Sequence, residues 1–170
     1  MEIKKNYMMI ELKPLINEQA KLDAHIQSQH QVTYANTREK RILALLVEIG
    51  EMINETKTFK FWSKKPSAEK PIILDEYADG LHFLLSLSIE VQSQKMNYDI
   101  QTLYLSLTQA TILVFQHVSE LSKHWHVKHL ESAFQAYLNL IPLLGFTADD
   151  VVQAYFKKLG VNYTRQQNAY

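Results

Sequence analysis

An all-α, single-domain helical bundle is the fold class that the sequence predicts, from three observations. Glycine and proline number only four each in 170 residues, too few to punctuate the many tight turns of a β protein. Apolar residues recur at three- and four-residue spacings over long stretches, the period of an amphipathic helix. Length and a hydrophobic content of 46% suit one domain with a sizeable core, and charged residues at 21% carry no signature of disorder. About six helices are expected, with long apolar faces that also suit a homodimer.

The first helix is expected over residues 13–29, where Leu15, Ile16, Leu22 and Ile26 trace an apolar stripe and Pro14 is tolerated in the first turn. A polar connection over 28–36 leads to a second helix, with Asn36 and Glu39 at capping-box spacing and Ile42, Leu45, Leu46, Ile49 and Ile53 as its stripe. Residues 57–70 hold five lysines, the adjacent aromatics Phe61 and Trp62, and Pro66, and read as a basic aromatic loop. A third helix opens at Pro71 or Asp75 and runs to 91. Asp99 is placed to cap a fourth over 100–123, whose apolar residues spread widely around the axis, as in an element buried on several sides. A fifth helix is expected over 127–143, stopping near Gly145. Thr147 and Asp150 form a capping box for a sixth over 148–159, with Gly160 as its C′ residue. Residues 161–170 read as a polar tail.

Eighteen Lys plus Arg balance eighteen Asp plus Glu, so no global field recruits nucleic acid or an anionic membrane. The absence of cysteine excludes disulfide and thiolate chemistry. No apolar run approaches the ~18 residues of a bilayer span, and residues 1–5 lack the apolar core of a secretory signal. The expected location is the cytoplasm.

Two acidic pairs stand out. Glu48-x-x-Glu51 and Glu76-x-x-Asp79 each lie in an otherwise apolar helix. At ~100° per residue, Glu48, Glu51 and Glu55 fall on one side of the second helix, as Glu76 and Asp79 do on the third. Carboxylates so close repel one another, and burial amplifies the repulsion. A divalent cation turns that repulsion into binding, and hard oxygen donors suit Mg²⁺ or Mn²⁺. The competing reading is a solvated acidic face paired with lysines. Gly50 and Gly80, next to motif acids in helix interiors, suggest a need for space near the site.

These residues resemble a known family. Glu48-Ile-Gly-Glu51, Asn54-Glu55, Phe59-Lys60-Phe61-Trp62-Ser63 and Asp75-Glu76-Tyr77-Ala78-Asp79-Gly80 are similar to the dimeric dUTPases of the all-α nucleoside triphosphate pyrophosphatase superfamily, with MazG-type enzymes as distant relatives. Gln19-x-x-Leu22-Asp23-x-x-Ile26 resembles the family's opening base-recognition motif, and Lys158-x-x-x-Asn162-x-x-Arg165-Gln166 its C-terminal phosphate-binding motif.

The resemblance implies hydrolysis of dUTP to dUMP and pyrophosphate with Mg²⁺ or Mn²⁺, more than one ion per site, in a homodimer. Such an activity limits uracil incorporation into DNA and supplies dUMP, with dUDP as a further candidate substrate. It assigns Glu48, Glu51, Glu76 and Asp79 as metal ligands, with Glu48 and Glu51 also orienting and deprotonating water. Gln19, Asp23 and Trp62 would contact uracil, Asp23 standing where many relatives have Asn and serving as an acceptor for the base N3–H. Lys158, Asn162 and Arg165 would bind phosphate from a tail that closes over the ligand. Asn54, Glu55, Lys60 and His82 would surround these residues, His82 beside the deoxyribose.

Other readings compete. A related pyrophosphatase acting on dCTP would share the acids and differ around Gln19 and Asp23. A non-catalytic oligomerisation module would explain the apolar helices alone. His124-x-His126-x-x-His129 invites zinc, but its spacing suits a solvated helix junction better. Neither a Gly-rich phosphate loop nor a Gly-x-Ser-x-Gly elbow occurs.

Overall fold

Ser, Thr and Pro set where most of the helices begin. The computed structural model describes residues 8–168, in the order β1 (Met8–Glu11), α1 (Lys13–His30), α2 (Tyr34–Thr56), α3 (Lys70–Glu90), β2 (Asn97–Ile100), α4 (Leu107–Glu120), α5 (Val127–Leu138), α6 (Leu140–Leu143) and α7 (Ala148–Gln167). Pro14 and Pro71 sit in the first turns of α1 and α3, and reciprocal capping boxes open α2, α4 and α7. The described residues are all-α apart from one two-stranded ribbon. No helix among the described residues is long and apolar enough to cross a membrane.

α3 is the pillar. Tyr77, Ala78, Leu81, Leu84, Leu85 and Leu87 are fully buried, and α1, α2, α5 and α7 all pack on it. A helix apolar on nearly every side has to lie inside the bundle. Tyr77 stacks on Tyr137 of α5 with ring centroids 4.5 Å apart, and each hydroxyl donates to the other's backbone carbonyl, at 3.2 and 2.7 Å. Gly80 makes room for this pair: a Cβ there would collide with the Tyr137 hydroxyl, its ring Cζ lying 3.0 Å away. The space at Gly80 therefore serves core packing rather than the acidic site. At Gly50 an added Cβ meets nothing within 4 Å.

Several boundaries differ from expectation. The predicted helix over 100–123 is shorter, because Tyr98 and Ile100 alternate with exposed Asn97 and Asp99 as a strand. This strand pairs antiparallel with β1, Met8 opposite Ile100 and Glu11 opposite Asn97, a partnership too distant in sequence to show in local periodicity. Ser106, not Asp99, then caps α4 through Gln109. Thr33 with Asn36, rather than Asn36 with Glu39, forms the α2 box. The expected helix over 127–143 breaks at Asn139, because Pro142 lacks an N–H and its ring crowds the carbonyl four residues back. Gly160 does not end the last helix: α7 continues to Gln167, so the expected tail is helical as far as it is described, and residues 169–170 lie outside the described residues.

Gly80→Ala should destabilise the fold by about 1–3 kcal/mol through overpacking against Tyr137. Chemical denaturation checks this, and the added cost should shrink in a Tyr137→Phe background where the colliding hydroxyl is gone.

Candidate active site

α2 and α3 run antiparallel, as the pairing of Arg41 near the start of α2 with Glu90 at the end of α3 requires. Thr37, Arg41, Ala44, Glu48, Glu51 and Glu55 follow one face of α2 at three- and four-residue steps. Glu76, Asp79, Phe83, Ser86 and Glu90 do the same along α3. The facing stripes build one elongated site with an acidic end and a base-sized end.

At the acidic end, carboxylate oxygens of Glu48, Glu76 and Asp79 all lie within 4.8 Å of one another, the only such group of ligand atoms among the described residues. Three half-buried carboxylates at that separation suit a hard divalent cation. Burial and the neighbouring charges of Asp79, Glu51 and Glu76 push the Glu48 carboxyl up to about 7. Burial likewise raises Glu76 and Asp79, with Lys158 and Arg165 opposing the rise at Asp79. Glu51 is exposed one turn along and lines a neighbouring 380 Å³ cavity with Asn54, Glu55 and Glu76. There Lys60 Nζ donates to Asn54 Oδ1 at 2.6 Å and Asn54 donates to Glu55 at 3.0 Å, a small network that closes the end of α2.

The other end is a 470 Å³ cavity lined by Gln19, Asp23, Tyr34, Arg41, Glu48, Asp79, His82, Phe83, Ser86, Asn162 and Arg165, among others. That volume suits a nucleoside-sized ligand. Gln19 Nε2 donates to Asp23 Oδ1 at 2.7 Å, and Tyr34 donates to Asp23 Oδ2 at 3.0 Å. Gln19 Oε1 therefore faces His82 Nδ1, 2.7 Å away, and also accepts from the Tyr155 hydroxyl at 3.2 Å. The amide oxygen can accept from His82 only if Nδ1 carries the proton. Burial lowers the His82 pKa to about 4, so the ring is neutral, and its buried Nε2 has no hydrogen-bond partner among the described residues. Expected as a satisfied core histidine or a deoxyribose neighbour, His82 is a wall residue satisfied on one side. Gln19, 3% exposed with its acceptor spent inside the protein, orients Asp23 more than it offers itself to a ligand.

Lys158, Asn162 and Arg165 share one face of the continuous α7, and Asn162 and Arg165 line the cavity. Lys158 is buried, its Nζ 2.6 Å from both Asp75 and Asp79. Trp62 is not brought to this cavity: it is 65% exposed on the loop after α2, edge-on to Phe59 and Phe61. The histidines near 124–129 are exposed; His126 caps α5 and His124 pairs with Glu120 at 3.2 Å, as a helix junction would.

A family model described as dUTPase matches residues 11–170. The chain belongs to the dUTPase family. No curated protein matches the sequence. Membership supports dUTP diphosphatase activity, and therefore a nucleotide substrate and a nucleoside triphosphate pyrophosphohydrolase reaction.

Sequence reasoning missed four residues in or behind this cavity. Tyr34 lay in a stretch read as a connection, and Ser86 and Tyr155 have no motif of their own. Arg41 did leave a signal: a cation four residues before Leu45, beside the apolar stripe of its helix. Its guanidinium donates to the Tyr34 carbonyl at 2.7 Å and Ser86 Oγ at 3.3 Å, and pairs with Glu90.

Glu48 supplies a pH test. Its folded pKa of about 7 lies above the reference 4.5, so the native state holds the proton more tightly than the unfolded chain. Its contribution is most favourable below the unfolded value and is lost as pH rises through about 7. In EDTA, Glu48→Gln should melt at a higher temperature than wild type at pH 8, and the gap should close towards about pH 5.

Proposed function

We propose that the acidic end binds Mg²⁺, replaceable by Mn²⁺ and with more than one ion per site, through Glu48, Glu51, Glu76 and Asp79. The observation that carries this reading is the Glu48–Glu76–Asp79 cluster opening onto the nucleoside-sized cavity. Bound there, divalent ions neutralise charge on phosphate oxygens and make water more acidic. Glu48 accepts the proton of the water that attacks the α-phosphorus, with Glu51 beside it. Asn162 and Arg165 extend donors to the phosphates, the guanidinium as a planar fork. Uracil then lies towards Asp23. The Asp23 carboxylate accepts the base N3–H, whereas cytosine would set a lone pair against it. Hydrolysis of dUTP to dUMP and pyrophosphate in this way limits uracil in DNA and supplies dUMP.

Purified protein should convert dUTP to dUMP and pyrophosphate with Mg²⁺, prefer it over dCTP and dTTP, and stop in EDTA. Glu48→Gln should lower kcat about 10²–10⁴-fold. Full activity in both Glu48→Gln and Glu76→Gln would overturn the ligand and base assignments. Equal turnover of dCTP would overturn the uracil assignment.

The working unit on this reading is a homodimer. Leu43, Val47 and Gly50 form one stripe of α2, and Leu43, Val47 and Ile112 of α4 are 63%, 48% and 53% exposed. A 290 Å³ groove lined by Gly50, Ile53, Thr58, Phe59, Ile112 and Phe115 continues that face. A second copy covering it would bury apolar surface that an isolated chain leaves in water. Light scattering should give a dimer for wild type and a monomer for Val47→Glu combined with Ile112→Glu.

A further inference from the structure

Lys158 holds the position of a cation. Its side chain is 6% exposed, and its ammonium lies 2.6 Å from Asp79 Oδ2 and 2.6 Å from Asp75 Oδ2. Asp79 belongs to the triad of carboxylates; Asp75, one turn earlier on α3, stands outside it with its side chain 46% exposed. Asp75 and Asp79 are four residues apart and share a side of the helix, so one ammonium serves both.

A fixed positive charge against a proposed ligand carboxylate repels an incoming dication and occupies one of the carboxylate's two oxygens. Yet without it the half-buried acids of α2 and α3 would lose the ammonium that touches Asp79 directly, with Arg165 as a weaker compensating charge. Asp75 resolves the conflict, because it gives Lys158 a partner that is not a ligand.

We propose that Lys158 is the built-in counter-ion of the cation-free site and that Asp75 is the positioning residue that retains it when Asp79 is released to a divalent cation. The inference rests on the cation-dependent reading above. Charge is then exchanged rather than added: Lys158 leaves Asp79, stays on Asp75, and presents its remaining N–H groups at the rim of the acidic cluster.

Direct Mn²⁺ binding, followed by EPR or calorimetry on nucleotide-free protein, tests this without turnover. Lys158→Met should bind Mn²⁺ on the order of tenfold more tightly than wild type, while melting at a lower temperature in EDTA. Lys158→Arg, which keeps the charge, should stay within about twofold of wild type. Asp75→Asn should bind Mn²⁺ more weakly, and that loss should largely vanish in the Lys158→Met background, since Asp75 acts through Lys158. Unchanged or weaker Mn²⁺ binding in Lys158→Met, or an Asp75→Asn effect undiminished in the double variant, overturns the proposal. Asp75 is half-exposed, so Asp75→Asn decides the matter if the buried substitution fails to fold: affinity equal to or above wild type overturns the proposal. Wild-type protein that binds no Mn²⁺ at all sinks the cation reading itself.

Discussion

Mutual repulsion of the carboxylates facing each other across α2 and α3 is the constraint that the rest of the structure answers. Glu48, Glu76 and Asp79 are held within 4.8 Å, a separation that water-exposed side chains would relax by swinging apart. Here they cannot, because the backbones beneath them are fixed. Tyr77 and Tyr137 lock α3 to α5 by stacking and two reciprocal hydrogen bonds one residue from Glu76, and Gly80 lets the rings approach beside Asp79. At the far end the Arg41 and Arg38 guanidiniums both grip Glu90, whose side chain is 7% exposed, so α2 is clamped to α3 on one side of the repulsive centre while α5 holds α3 at the centre itself. Breaking either clamp removes the partner of a buried charge or polar group, which costs more than the contact itself contributes.

Core packing and site geometry are thus the same interactions seen from two faces of α3. One side carries Tyr77, Leu81, Leu84 and Leu85 into the core. The other carries Glu76, Asp79, Phe83, Ser86 and Glu90 along the site. A helix buried on nearly every side can present a polar stripe only where a partner helix supplies matching groups, and α2 does so position by position. The base-end cavity has a floor of buried polar groups for the same reason: Asp23 is tolerated because Gln19 and Tyr34 donate to it, and burial still pushes its carboxyl above the usual range.

How much of this was legible depended on whether the signal was local. Helix faces, the first-turn prolines and the α7 capping box could be read directly, because caps and periodicity act within a few residues. The acidic pairs were legible for the same reason, since three-residue spacing fixes them on one face. The β1–β2 ribbon was not, because Tyr98 and Ile100 find their partners some ninety residues upstream. Gly160 misled because a helix-ending residue type says nothing about the contacts that hold the helix beyond it. Gln29 Nε2 to the Gln166 carbonyl and His30 Nε2 to Gln166 Oε1, both at 3.0 Å, tie the last turn of α7 to α1. The role of Lys158 was hidden in a similar way: the motif indicated a cation near phosphate, and only the folded structure sets it between Asp75 and Asp79.

That placement makes α7 the link between the two ends of the site. The single proton of the Tyr155 hydroxyl is shared between the Leu15 carbonyl at 3.0 Å and Gln19 Oε1 at 3.2 Å, and the ring stacks on His82 at 4.3 Å, so Tyr155 supports the chain of hydrogen bonds that fixes Asp23. Lys158, three residues further on, neutralises Asp79. Asn162 and Arg165 follow on the same face and line the cavity between them. A shift of α7 along its axis would therefore loosen the base pocket and expose the acidic cluster together. Because a packed helix moves as a unit rather than residue by residue, the cavity around Asp23 and the acidic cluster are mechanically joined in this fold. The continuity of α7 through Gly160 is what joins them: a helix that ended there would leave Asn162 and Arg165 on a separate segment, free of the geometry that Tyr155 and Lys158 impose.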